Sequence, residues 1–300
     1  MYDCIIIGAG PAGLTAAIYL LRENKKIKII EKETIGGKIT SSARVDNYPG
    51  FKSISGSELA DKLFEQVTNL GGEIDIEEFQ KINNDKIKEV ITDEGTYQTK
   101  SIIIATGTYF NTLKIADEDK FLGNGISFCT VCDGAFYKDK VVAVVGGGNT
   151  AIINVIYLST LAKKVYLIVR EETIRGEKVN IDELLTKENI EIIYNSEVTK
   201  YLGDTSIKGI VIKNKDNTKE LAVDGIFLAI GQVPETKKVN NLLNLDKYNY
   251  IEAKEDCQTN IAGIFAAGDV RSKKVRQLTT ATNDGTIAAL NVINYLNEED

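Results

Sequence analysis

Two cysteines that stand two residues apart are the side chains of this sequence best suited to chemistry. Cys129 and Cys132 are followed at once by a carboxylate, Asp133. Cysteines at this spacing can close and reopen as a disulfide, because a neighbouring thiol helps to make an attacking thiolate available near neutral pH. The adjacent carboxyl group can carry the proton that thiol–disulfide exchange moves. We therefore predict a redox-active pair at Cys129 and Cys132, with Asp133 as its acid–base group.

The alternative for this pair is half of a structural zinc site, which needs about four cysteine or histidine ligands. The sequence has no histidine, and its other two cysteines, Cys4 and Cys257, are single and distant along the chain. We therefore expect no metal site. We expect Cys4, in the first strand, and Cys257, in a polar turn, to be structural.

A glycine-rich turn predicts a nucleotide site near the N-terminus. The β-branched run 5–7 leads into Gly8-Ala9-Gly10-Pro11-Ala12-Gly13, and residues 14–21 can form a helix. A helix that starts at such a turn points free N–H groups at a pyrophosphate, and the glycines let the backbone approach it closely. A second strand ends at Glu31, where a carboxylate suits the hydroxyl groups of an adenosine ribose. An ordinary turn in a strand–helix–strand unit is the alternative.

A second strand and glycine turn follow in the middle of the chain. The strand 141–145 leads into Gly146-Gly147-Gly148-Asn149-Thr150-Ala151, in which alanine takes the third glycine position. Alanine is a permitted variant there. Two such signatures beside a dithiol indicate two bound nucleotides, one delivering hydride and one relaying electrons, because a nicotinamide does not readily reduce a disulfide unaided.

Shorter loops could also contact a cofactor. Gly36-Gly37-Lys38 and the loop 46–51 offer backbone freedom and amide groups that could lie against a flat ring system, although a plain turn is the simpler interpretation. Asp269 follows a predicted strand, at the carboxyl end that usually faces ligands in such sheets. The alternative is that Asp269 caps the next helix.

Composition narrows the class of protein. The chain has 300 residues, of which 43% are hydrophobic, enough for two cores. Its net charge of −7 without a long basic run argues against binding to nucleic acid or to anionic membranes. The apolar run 4–21 is broken by glycines and a proline, so it predicts a strand, turn and helix instead of a membrane span. Four cysteines do not make a secreted disulfide framework, which favours the cytoplasm.

In their order along the chain, these motifs resemble those of the thioredoxin reductases of the small, two-domain type, which are flavoproteins of the pyridine nucleotide-disulfide oxidoreductase family. The resemblance covers essentially all of the sequence. It implies an α/β fold with two Rossmann-like dinucleotide-binding domains of the three-layer ββα type, the second inserted into the first. It further implies an FAD-binding domain at 1–113 and 243–300, a pyridine-nucleotide domain at 114–242 that carries the redox pair, and a homodimer.

The resemblance also implies roles for individual residues. Cys132 is expected beside the flavin, Cys129 is expected to attack the disulfide of thioredoxin, and Asp133 is expected to protonate the leaving thiolate. The nicotinamide dinucleotide is expected at Gly146, Gly148, Asn149, Thr150, Arg170 and Arg175. FAD is expected at Gly8, Gly10, Pro11, Ala12, Gly13, Glu31, Gly37, Asn47, Ala105, Gly107, Gly268, Asp269, Arg276 and Gln277.

Departures from the family pattern concern the electron donor. The family usually has His-Arg-Arg and a further arginine to grip the 2′-phosphate of NADPH, whereas this chain has Val169-Arg170-Glu171 and keeps Arg175. A carboxylate about 4 Å from a phosphate costs up to ~4 kcal/mol at an effective dielectric constant of ~20, and less where water screens it. Ile153-Asn154 replaces an acidic pair, and Lys38 replaces a glutamine of the flavin loop. NADPH is the expected donor, with NADH or reduced ferredoxin as alternatives.

The expected function is therefore that of a thioredoxin-disulfide reductase, in which electrons pass from the nicotinamide through FAD to the cysteine pair and on to thioredoxin. Two other functions stay open. One is a reductase for a different redox protein, such as a glutaredoxin-like or peroxidase-associated carrier. The other is a flavin-binding redox sensor with negligible turnover.

Overall fold

The computed structural model describes residues 1–42, 45–85, 87–215 and 217–299. The chain forms two compact units, the first made of Met1–Tyr109 with Val233–Asp300 and the second of Phe110–Gln232. The sequence of the second unit thus interrupts that of the first. The predicted domain boundaries, after residues 113 and 242, lie further along the chain than the divisions between these units, after residues 109 and 232. The predicted boundaries stay a prediction.

The elements alternate between strands and helices over most of the chain. The helices are α1 (Pro11–Arg22), α2 (Gly56–Asn69), α3 (Glu118–Phe121), α4 (Thr130–Asp133), α5 (Asn149–Ser159), α6 (Lys178–Leu185) and α7 (Leu278–Glu299). The strands are β1 (Tyr2–Ile7), β2 (Ile27–Glu31), β3 (Ile74–Ile76), β4 (Phe79–Asn84), β5 (Lys88–Thr92), β6 (Thr96–Ile104), β7 (Thr108–Phe110), β8 (Ile126–Ser127), β9 (Val141–Val145), β10 (Lys164–Ile168), β11 (Ile190–Ile193), β12 (Glu197–Gly203), β13 (Ile207–Asn214), β14 (Asn217–Ala222), β15 (Gly225–Leu228), β16 (Gln232–Pro234) and β17 (Ile264–Ala266).

The first unit is built on one sheet with strand order β3-β2-β1-β6-β5-β4, and β17 also pairs with β6. The strands β1, β2, β3, β6 and β17 run parallel to one another, whereas β5 is antiparallel to both β6 and β4. Side chains of β1 alternate between two cores: Cys4 and Ile6 pack with α1 and α7, and Ile5 and Ile7 face the opposite side. Burial on both faces is why a run of isoleucines suits this parallel strand.

The second unit has a parallel sheet with strand order β11-β10-β9-β15-β8 and a separate antiparallel sheet, β12-β13-β14. On β9, Val142 and Val144 pack with α5, whereas Ala143 and Val145 pack with β13. The parallel sheet is therefore covered by helices on one face and by the antiparallel sheet on the other. This is the three-layer ββα arrangement, so the predicted fold class is confirmed.

A glycine turn follows each of the strands β1 and β9, at the carboxyl end of the strand. The helix predicted at 14–21 lies within α1, which starts three residues earlier, at Pro11 inside the glycine motif. At the second turn α5 likewise starts inside the motif, at Asn149. Across the described parts of the chain, no helix combines the length and apolarity needed to cross a membrane.

Candidate active site

Cys129 and Cys132 form a disulfide at the short helical turn α4. The sulfur of Cys129 accepts a hydrogen bond from the backbone N–H of Cys132 at 3.2 Å. Both cysteines are half-buried, and Val131 between them is 60% exposed. The predicted pair is therefore bonded and can be approached from solvent.

Asp133, the carboxylate after the pair, is held by a serine. The hydroxyl group of Ser127 donates to Oδ2 of Asp133 at 2.6 Å and accepts the backbone N–H of Cys129 at 3.1 Å. Burial raises the pKa of Asp133 above its ordinary value, and the Ser127 hydrogen bond opposes that rise. A raised pKa keeps the proton on the carboxyl group at higher pH, as a general acid requires.

Ser127 was not among the predicted site residues. Its signal in the sequence is a hydroxyl two residues before a cysteine, which is the spacing of a local side-chain bond to a backbone N–H. Only the structure shows that the same hydroxyl reaches Asp133.

The first glycine turn is closely packed and tied to Glu31. A Cβ on Gly8, where φ is +108°, would lie 2.4 Å from the carbonyl oxygen of Ala105, and one on Gly13 would lie 1.9 Å from that of Gly8. Oε2 of Glu31 accepts the backbone N–H of Ala9 at 2.7 Å. The predicted residues Gly8, Gly13, Glu31 and Ala105 therefore meet at one sheet edge.

Gly10 is the turn residue with open space around it. It caps α1 and Pro11 is the first helical residue, followed by Ala12, which is buried. A Cβ on Gly10 would meet no heavy atom within 4 Å among the described residues, whereas one on Gly37 would lie 3.4 Å from the Cα of Gly10. The Gly37 loop thus lies directly against the turn, and the N-terminus of α1 is open to a phosphate group.

A cavity of about 400 Å³ opens at the same edge, at the carboxyl ends of β1 and β2. Its walls include Gly8, Glu31, Thr106 and Lys238. Gly107 follows Thr106 and has a φ of +68°. Its carbonyl oxygen accepts a hydrogen bond from the backbone N–H of Glu235 at 3.2 Å. This volume and the carboxylate of Glu31 suit the adenosine part of a dinucleotide.

Asp269 has one oxygen that accepts no hydrogen bond from the described residues, although Nζ of Lys273 lies 4.0 Å from it. It lies in a short 3₁₀ turn, Gly268–Val270, where Oδ2 accepts from Nζ of Lys38 at 3.2 Å. Oδ1 is buried and accepts no hydrogen bond from any described residue. A buried acceptor in this state is costly unless a ligand donates to it, so the site fits a cofactor that carries hydroxyl groups, as the sugar-alcohol chain of a flavin does. The alternative that Asp269 caps the next helix is wrong, because α7 begins only at Leu278.

Lys38 joins the Gly36-Gly37-Lys38 loop to this carboxylate. Its ammonium group also donates to Oγ1 of Thr108 at 2.6 Å. Burial lowers the pKa of Lys38 below its ordinary value, while Asp269 opposes that effect. The position where the family has glutamine is therefore occupied here by a cation paired with Asp269.

A buried carboxylate, Asp284, supports the Gly268 turn and was missed by sequence reasoning. It is 1% exposed and accepts the backbone N–H of Gly268 at 3.1 Å. Its charge is balanced by Arg271 and Lys273, each at 2.9 Å. The signal in the sequence is an aspartate within a run of small and apolar helix residues, where an unpaired charge is costly.

Arg276, Gln277 and Asn47 lie near the start of α7. The guanidinium group of Arg276 stacks 3.8 Å from the ring centroid of Tyr250, and its Nε donates to the carbonyl oxygen of Asp269 at 3.3 Å. Oε1 of Gln277 accepts from Nδ2 of Asn47 at 3.4 Å. The structure thus brings these three predicted residues to the side of the unit where Asp269 lies.

The second glycine turn is packed like the first. A Cβ on Gly146, where φ is +146°, would lie 2.5 Å from the carbonyl oxygen of Ala229, whereas Gly148, which caps α5, faces open space among the described residues. Thr150 is exposed. Oδ1 of Asn149 is used within the protein, because it accepts the backbone N–H of Glu177 at 3.1 Å.

Arg170, after β10, is shared by two carboxylates. Its Nη2 lies 3.4 Å from Oε1 of Glu171, and its Nε lies 3.9 Å from Oε1 of Glu197. Arg175 is exposed, and its backbone N–H donates to the carbonyl oxygen of Gly147 at 2.7 Å, which folds this loop onto the glycine turn. Arg175 therefore lies at the turn, whereas the charge of Arg170 is offset by two carboxylates.

Cys4 and Cys257 are buried free thiols. Burial raises the pKa of each to about 12, so neither suits nucleophilic chemistry near neutral pH. Within the ranges that the structure describes, no group of three or more histidine, cysteine, aspartate or glutamate residues is arranged to hold a metal ion.

Comparison with known proteins places these features in context. A family model described as pyridine nucleotide-disulphide oxidoreductase matches residues 2–285. The chain is 43% identical to the "34.2 kDa protein in rubredoxin operon" of Clostridium pasteurianum, with 98% of this chain and 97% of the relative covered. It is 40% identical to the thioredoxin reductase of Listeria innocua, with 99% and 95% covered. The crystal structure of thioredoxin reductase from Streptococcus pyogenes superimposes with a TM-score of 0.96 at 38% identity and covers 99% of each chain.

Proposed function

The chain belongs to the pyridine nucleotide-disulphide oxidoreductase family, and from that premise we propose that it is a thioredoxin-disulfide reductase. The family implies a flavin and a nicotinamide donor, and the resemblance inferred from the motifs is confirmed by the comparisons. The observation that carries the proposal is the Cys129–Cys132 disulfide beside Asp133, in a chain similar over nearly its whole length to thioredoxin reductases.

The flavin is proposed to be FAD, held by the first unit. The N-terminus of α1 at Gly10 would receive the pyrophosphate, Glu31 the adenosine ribose, and Oδ1 of Asp269 a hydroxyl group of the flavin chain. This rests on the open space at Gly10 and on the buried oxygen of Asp269 that accepts no hydrogen bond from the described residues. Bound there, a flavin supplies the relay that accepts a hydride and releases two electrons to sulfur.

The chain's own residues carry out the sulfur chemistry. Reduction breaks the bond between Cys129 and Cys132 and adds two electrons and two protons, one to each sulfur. Asp133 delivers one of these protons, to the sulfur that leaves. Cys129 then gives up its proton, and its thiolate attacks the disulfide of thioredoxin. A mixed disulfide forms, and the other thioredoxin sulfur leaves as a thiolate and takes up a proton. Cys132 attacks the sulfur of Cys129, which re-forms the internal disulfide and releases reduced thioredoxin.

NADPH is the proposed donor, bound at the second glycine turn with Arg170 and Arg175 near its 2′-phosphate. One observation favours NADH as a second candidate: Arg170 already has two carboxylates within 4 Å, so an added phosphate meets a corner of net negative charge. Reduced ferredoxin is the third donor to test.

Two assays test the function. Purified protein supplied with NADPH or NADH should reduce an aromatic disulfide reagent in the presence of thioredoxin, and Cys129→Ser and Cys132→Ser should each abolish that activity. A panel of oxidised carriers, including a glutaredoxin-like protein, separates thioredoxin from the alternative partners. Activity with another carrier and none with thioredoxin would overturn the proposed substrate.

A redox sensor would bind flavin and cycle its disulfide without multiple turnovers. More than one thioredoxin reduced per enzyme chain excludes that alternative. We also propose that the chain acts as a homodimer in the cytoplasm, which light scattering and cell fractionation test independently of the chemistry.

A further inference from the structure

Thr130 and Asn154 form a partly buried contact that the proposed chemistry does not use. Oγ1 of Thr130 donates to Oδ1 of Asn154 at 2.8 Å. Thr130 is 3% exposed, although Val131 beside it is 60% exposed. Asn154 lies on α5, so this hydrogen bond ties the turn that carries the cysteines to the helix behind it.

Thr130 is well placed to hold that turn closed. It is the first residue of α4, directly after Cys129, and the turn is closed by the backbone N–H of Asp133, which donates to the carbonyl oxygen of Cys129 at 3.0 Å. The end of the turn also packs on α5, because a Cβ on Gly134 would lie 3.0 Å from the ring of Tyr157. Loss of the Thr130 contact would free the start of the turn from α5.

The closed turn matters for sulfur because it aims an N–H group at Cys129. The backbone N–H of Cys132 lies 3.2 Å from the sulfur of Cys129. A donor in that position stabilises a thiolate more than a thiol, since hydrogen bonds to a charged acceptor are the stronger ones. A turn that opens would lose this donor and with it part of the reactivity of Cys129.

We propose that Asn154 is a positioning residue for the redox pair: through Thr130 it holds the turn closed and keeps the Cys132 N–H on the sulfur of Cys129. The inference rests on the proposed function only in taking the pair as redox-active, and it needs no bound nucleotide. The helix that carries Asn154 starts at Asn149, directly after the cap residue Gly148, so the same helix follows the nucleotide turn and holds the redox turn.

The test measures the reactivity of Cys129 directly. A Cys132→Ser background keeps the backbone N–H and leaves Cys129 as the half-buried thiol, while Cys4 and Cys257 are buried and react slowly at neutral pH. The rate of alkylation of Cys129 by iodoacetamide is followed against pH, with the modified peptide identified by mass spectrometry.

Thr130→Val removes the hydroxyl group at nearly constant volume, and Asn154→Leu removes the amide. Each should slow alkylation at pH 7 about three- to tenfold and move the pH profile to higher pH, because the thiolate fraction falls. The two changes break one hydrogen bond, so the double variant should be no slower than the slower single variant. Thr130→Ser, which keeps the hydroxyl group, should retain most of the parent rate. Ile153→Ala, on the same helix but half-exposed, is the matched control and should change nothing.

Thermal unfolding of every variant is measured in parallel. Thr130→Val or Asn154→Leu that melts earlier but alkylates at the parent rate would assign the contact to stability alone and overturn the proposal. Additive effects, or failure of Thr130→Ser to preserve reactivity, would also overturn it. Should Thr130→Val not fold, Asn154→Leu decides the matter alone. An enzyme that shows the expected alkylation rates but does not reduce thioredoxin would refute the proposed function instead.

Discussion

Replacement of Glu171 by arginine tests how this chain selects its electron donor. Glu171 lies directly after Arg170, one of the two residues proposed to receive a 2′-phosphate, and forms an ion pair with it at 3.4 Å. A second carboxylate, Glu197, lies 3.9 Å from the same guanidinium group. One cation and two carboxylates give this corner a net charge of about −1, which disfavours a phosphate and tolerates a free ribose hydroxyl group.

The magnitude follows from charge and exposure. If the side-chain charge of residue 171 and one charge of a bound 2′-phosphate lie about 7 Å apart, they interact by roughly 0.6 kcal/mol at the dielectric constant of water. At an effective dielectric constant of ~20 the interaction is roughly 2.4 kcal/mol. The side chains of Arg170, Glu171 and Glu197 are 73%, 50% and 62% exposed, so water screens them and about 1 kcal/mol per charge is the appropriate value. Glu171→Gln changes one charge and should raise the preference for NADPH about fivefold. Glu171→Arg changes two charges and should raise it up to about thirtyfold.

The assay is the ratio of kcat/KM for NADPH to that for NADH, measured for the parent and both variants. Glu172→Arg, an exposed neighbour with the same charge change, is the matched control. The effect should shrink at high salt, because exposed charges are screened. An unchanged ratio in Glu171→Arg, or an equal shift in Glu172→Arg, would refute a specific role for Glu171.

Three further changes have defined outcomes. Burial raises the pKa of Asp133, so the rate of disulfide reduction should fall as pH rises through that pKa. Asp133→Asn should abolish this pH dependence and slow the reaction about 10²- to 10⁴-fold. Stopped-flow measurements of the rate against pH test both results. The raised pKa also means that the folded state holds this proton more tightly than the unfolded state, so the parent should lose stability relative to Asp133→Asn as pH rises through the folded pKa, measured by urea unfolding. Asp269→Ala should weaken FAD binding about ten- to a hundredfold in a titration of the apoprotein, because it removes a charged buried acceptor, whereas Asp256→Ala in an exposed turn should not. Gly10→Ala should leave the melting temperature of the apoprotein unchanged but reduce FAD binding, since its Cβ meets open space in the protein; equal losses of both would contradict the assignment.

The sequence predicted the features that depend on local geometry. Gly8 and Gly146 have positive φ angles and contact the backbone of a neighbouring segment, which is why glycine was diagnostic at both turns. The pairing of Cys129 with Cys132 also follows from short-range spacing. Runs of β-branched residues predicted the buried parallel strands because such strands are covered on both faces.

Other parts of the site depend on contacts between distant residues, and no local pattern reports them. Lys38 meets Asp269 across most of the sequence, and Asp284 supports Gly268 from another element. Ser127 was overlooked because its hydroxyl group has two partners that become neighbours only when the turn forms. The alternative role of Asp269 as a helix cap stayed open in the sequence for a related reason, since no local pattern fixed the start of α7 at Leu278.

The number of electrons that the protein accepts tests whether the flavin and the Cys129–Cys132 disulfide form one electron path. An anaerobic reductive titration of the purified flavoprotein should consume about four electrons per chain, two for the flavin and two for the disulfide, and Cys129 and Cys132 should then be alkylated. Cys129→Ser should consume only about two. Full reduction of the flavin after about two electrons in the parent protein, with the Cys129–Cys132 disulfide still intact, would contradict the account.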